Sequence, residues 1–127
     1  MKELMEWLYS KLSVIGNVYF EDLERNKEGK AIMDDIKIVY NIPNVLQLTD
    51  NRTRNDIPLI IDVWGRNNQV LQIENIVEKI ELLQDEVYRK DKLFFIVQKD
   101  NLFRNNLKDE DKNIRRVELH FIIRKFK

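Results

Sequence analysis

Apolar residues recur at helical spacing over the first fifteen positions. Leu4, Trp7, Leu8, Leu12 and Ile15 (or Val14) form one stripe, and Lys2, Glu3, Glu6 and Lys11 take the other side. The pattern predicts a helix over residues 2–14, stopped by Gly16-Asn17, two residues that tolerate positive φ. Val18-Tyr19-Phe20 reads as a short strand, and the polar run 21–30 as a loop or hairpin connection. From Ala31 to Tyr40 the rhythm is that of a strand, with Ile36, Ile38 and Tyr40 alternating with Lys37 and Val39. Asn41-Ile42-Pro43-Asn44 has turn chemistry, and Val45–Leu48 shows a short β-type alternation. Residues 49–56 (TDNRTRND) are wholly polar and read as a loop.

Ile57 to Trp64 is the clearest strand. Ile57, Leu59, Ile61 and Val63 point one way, and Pro58, Ile60, Asp62 and Trp64 the other. Both sets are mostly apolar, which predicts a central strand covered on both faces, with Pro58 near its start. Asn67 or Asn68 then caps the strongest helix, 69–87. There Ile73, Ile76, Val77, Ile80, Leu83 and Val87 make the core stripe, with Glu74, Glu78, Glu81 and Asp85 opposite. Lys92–Lys99 is dense in β-formers, 104–113 is polar, and Arg115–Phe126 alternates cleanly. These last runs read as an antiparallel hairpin with a long tip. The order predicted is helix, three or four strands, long helix, two strands. That is one α+β domain over 1–127, a mainly antiparallel sheet with an N-terminal helix and one long helix packed on one face.

Composition narrows the function. The 127 residues contain no Cys and one His, which excludes disulfide frameworks, thiolate metal sites, Cys nucleophiles and any site needing two imidazoles. The 22 basic and 22 acidic side chains cancel, which argues against bulk attraction to nucleic acid or an anionic membrane. The first residues interleave acids with apolar groups, unlike a secretory signal, so a cytoplasmic place of work is expected.

The charge is not evenly spread. Residues 1–68 hold nine basic and eleven acidic residues, a net of −2. The helix 69–87 sets Lys79 against five acids, a net of −4, and residues 88–127 hold twelve basic and six acidic residues, a net of +6. Such segregation is that of ordinary solvated faces or, alternatively, of subunits that bind copies of themselves, the acidic helix of one facing the basic hairpin of the next. On this reading Asp62, Glu74, Glu78 and Glu81 are candidates to meet Arg115, Arg116 and Arg124 of a neighbour.

Catalytic patterns are weak. His120 lies on the polar side of its strand with no nucleophile or orienting group in any local pattern. Asp109-Glu110-Asp111-Lys112-Asn113 opens like a calcium loop, but Ile114 and His120 stand where Gly and a bidentate Glu belong. Asp34-Asp35 and Glu28-Gly29-Lys30 faintly evoke a metal-dependent nuclease, without a partner acid. Arg115-Arg116 and Arg124-Lys125 with Phe121 and Phe126 would suit a nucleic-acid surface, except that Phe121 falls on the apolar side. No cofactor, metal or nucleic acid is expected. Trp7 and Trp64 read as core anchors.

The run Pro58-Leu59-Ile60-Ile61-Asp62-Val63-Trp64-Gly65-Arg66, leading into a helix with Ile73, Ile76, Val77, Ile80, Leu82 and Leu83, resembles the phage tail-terminator (tail-completion) proteins. Their strand reads roughly I-D-V-W-[small]-R. The first helix, the strand after it, the closing strand and the length also suit that family. The chain departs from it at Ala31–Tyr40, where many relatives carry a Pro-Tyr-rich strand, and in its TDNRTRND loop. The resemblance implies a non-enzymatic α+β subunit of a hexameric ring that caps the tail tube, halts its elongation and presents the head-joining surface. The implied partners are further copies, the tube protein and, in contractile or bacteriocin-like particles, sheath and neck proteins. The implied location is a virion tail assembled in the bacterial host cytoplasm. Asp50, Arg52, Arg54 and Asp56 in one polar loop, and Arg104, Lys108, Asp109 and Asp111 at the hairpin tip, are the candidates to meet the tube or a neighbour. The alternatives are another head–tail joining or neck protein, or a small metal-dependent nuclease using Asp34 or Glu28.

Overall fold

A computed structural model of the chain describes residues 2–21, 35–43, 46–47, 54–91, 93–108 and 113–126. The fold is α+β. Helix α1 spans Lys2–Ser13 and helix α2 spans Val70–Glu81. The strands are β1 (Asn17–Phe20), β2 (Lys37–Asn41), β3 (Leu46–Gln47), β4 (Arg54–Arg66), β5 (Val87–Lys90), β6 (Leu93–Lys108) and β7 (Ile114–Phe126). They form one sheet in the order β1-β2-β4-β7-β6-β5, with β3 pairing β4. Every pairing is antiparallel except β1 with β2. That parallel pair corrects the hairpin reading of 21–30, because parallel neighbours require a crossover rather than a tight turn.

Strand β4 is central, as its two apolar faces predict, between β2 on one side and β7 on the other. It starts at Arg54, inside the stretch expected to be a loop. Pro58 faces Ile122 of β7, and on its other side it falls in the gap between Asn55–Asp56, which pair β3, and Ile60–Trp64, which pair β2. A residue without an N–H is tolerated there.

The core lies between the sheet and both helices. Leu4, Leu8 and Leu12 of α1 and Ile73, Val77 and Ile80 of α2 pack on Ile38, Leu59, Ile61, Val63, Leu119, Phe121 and Ile123. Trp7 packs against this core from its margin, its ring 5.7 Å from that of Tyr88. Gly65 is required where α2 crosses β4, since a Cβ there would lie 2.8 Å from Ile73 Cδ1.

Helix α2 ends six residues earlier than its pattern predicts. Leu83 stays in the core, but Asp85 takes φ 66° and turns the chain. The turn docks on β6, where Asp85 N–H donates to the Val97 carbonyl (2.7 Å) and Val97 N–H donates to the Glu86 carbonyl (3.0 Å). Val87 then opens a strand, so three strands rather than two follow α2. The expected polar tip at 104–113 is also largely strand. Strand β6 stays paired to Lys108, with an irregularity between Lys99 and Arg104 where β6 carries extra residues opposite His120.

Candidate functional site

Alternation along the strands gives the sheet two different faces. One is covered by α1 and α2. The other carries Val39, Pro58, Ile60, Asp62, Trp64, Arg116, Glu118, His120, Ile122 and Arg124, and no described helix packs on it. Most of these side chains are half-buried, and Val39 and Asp62 are buried. Trp64 therefore belongs not to the main core, as expected, but to a small cluster on this face with Val39, Tyr19 and Ile114.

Four ionisable groups meet on the open face. Asp62 is 8% exposed. Arg116 Nη2 donates to Asp62 Oδ2 at 3.0 Å and to Glu118 Oε2 at 3.3 Å, and its guanidinium lies 4.9 Å from the Trp64 ring centroid. His120 Nε2 is 2.6 Å from Glu118 Oε1. The register explains the cluster, since Asp62 faces Glu118 across β4 and β7, and Arg116 lies two residues away on the same face. Burial raises the Asp62 pKa above the ordinary carboxylate value, and the hydrogen bond and charge of Arg116 oppose that shift without cancelling it. Asp62 Oδ1, Arg116 Nε and Arg124 Nε are buried without hydrogen-bond partners among the described residues, and all three belong to this face.

The acidic helix and the basic hairpin meet inside one chain. Arg104 grips the Glu74 carboxylate with both terminal nitrogens (Nη1 to Oε2 2.9 Å), and Lys99 Nζ lies 3.3 Å from Glu81 Oε2. The two pairs flank the β6 irregularity, which Phe103 anchors edge-on against Phe121 at 5.0 Å. The Arg104 hydrogen bonds hold Glu74 below its usual pKa, and Glu74 raises that of Arg104.

Several expected contact residues therefore find partners within the chain. Glu74, Glu81, Asp62 and Arg116 are paired as above, and Arg115 Nε donates to Asn67 Oδ1 at 3.1 Å. Arg104 is a strand residue tied to α2, not a tip residue. Asp56 is buried in β4 opposite Arg124, not exposed in a loop, because the strand begins at Arg54. Arg54 and Lys108 occupy the ends of β4 and β6. Asp50, Arg52, Asp109 and Asp111 lie outside the described residues, as do Glu28, Asp34 and most of the calcium-like stretch. Glu78 and Arg124 have no ion pair among the described residues.

The sequence reading missed Lys99, the Glu118–His120 contact, and three exposed leucines, Leu71, Leu82 and Leu102. Leu71 lies outside the core stripe of α2, and that displacement was the available signal.

The chain matches no family model and no curated protein. Among the described residues no group of three or more His, Asp or Glu side chains is placed to hold a metal ion, and no helix is long and apolar enough to cross a membrane.

Proposed function

We propose that this chain is a ring subunit of a phage, or phage-like, tail terminator, which caps the tail tube, stops its elongation and provides the surface that joins the head. The observation that supports the reading is the sheet face on which, among the described residues, no helix packs. Its central strand bears Ile60, Asp62 and Trp64 beside Ile122 and Arg116, a mixture of apolar and internally paired charged groups. A partly apolar patch rimmed by polar groups is the kind of surface that protein contacts use, and a polar margin keeps such a subunit dissolved before assembly.

The resemblance over residues 58–83 supports the same reading, and its pattern makes physical sense in this chain. The small residue is Gly65, which lets α2 seat Ile73 on the strand. The acid and the Trp before it are Asp62 and Trp64, both engaged by Arg116.

The test is electron microscopy of the purified protein, alone and added to tails made without it, together with mass measurement. Rings at one end of the tube are expected. A strict monomer that neither forms rings on tails nor binds tube protein would overturn the proposal.

A further inference from the structure

We draw no further inference here: the strongest candidate, the outward stripe of α2 on which Leu71 and Leu82 are exposed, is an unpartnered apolar surface, and nothing in the structure shows what covers it.

Discussion

Replacing Arg116 by Ala removes the guanidinium that pairs with the buried Asp62 carboxylate. The Asp62 side chain is 12% exposed, with one oxygen 3.0 Å from Arg116 and the other unpartnered. Breaking a fully buried pair from one side costs ~3–5 kcal/mol, because the remaining charge stays in place without compensation. Arg116 keeps 31% of its side chain in water, which screens part of the interaction, so we expect a loss of about 2–3 kcal/mol at pH 7. With a urea dependence of ~1–2 kcal/mol per molar, the unfolding midpoint should fall by roughly 1–3 M.

The sign of the pH dependence is fixed. Burial already holds the folded pKa of Asp62 above the ordinary aspartate value, so the folded state binds its proton before the unfolded state does. Protonation therefore favours folding as pH falls through that folded pKa, and the benefit is lost as pH rises through it. Without Arg116 the folded pKa rises further, and the deficit of Arg116→Ala should shrink on acidification from pH 7 to 5. Asp62→Asn in the same background should recover most of the loss. A deficit below about 0.5 kcal/mol, or no recovery from Asp62→Asn, would refute the assignment of this pair as the main electrostatic liability of the open face.

Further expectations concern the helix side. Glu74 has its pKa lowered by Arg104, so its contribution is fully present above its unfolded value near 4.5 and is lost as pH falls through the folded one. Glu74→Gln should flatten that acid limb in urea titrations while costing at most about 1 kcal/mol at pH 7, since the carboxylate is 39% exposed. Gly65→Ala places a Cβ against Ile73 Cδ1 and 3.3 Å from Ile36 Cγ1, and should cost about 1–3 kcal/mol by thermal or urea unfolding. Ile73→Val in the Gly65→Ala chain removes the clashing methyl and should recover part of that loss. An additive loss from the two changes would contradict the packing account.

How much of this was legible in the sequence depended on whether the signal was local. Period two over 57–64 identified β4, and its doubly apolar pattern identified it as central. Ile73, Val77 and Ile80 identified α2. Where that helix stops was hidden, because Leu83 and Val87 continue the helical spacing and no glycine marks the break. Asp85 turns the chain in a conformation that Asp tolerates and that composition does not announce.

The parallel pairing of β1 with β2 was hidden for another reason, since strand partners far apart in sequence leave no local pattern. The charge map suggested an acidic helix of one copy facing the basic hairpin of the next, whereas the two meet within one chain, a distinction that composition does not carry. Arg104 and Lys99 meet Glu74 and Glu81 in the same subunit. Asp62 was the anomalous residue of its strand from composition alone, and its partner proved to be one strand away.

The central claim is that this protein ends a tail. Deleting its gene from the element that encodes it, and measuring tail lengths by electron microscopy, tests that most directly. The account predicts tails of abnormal, extended length, returned to a uniform length when the unaltered gene is supplied. Tails of normal length that merely fail to join heads would contradict it and would place the protein at the neck instead.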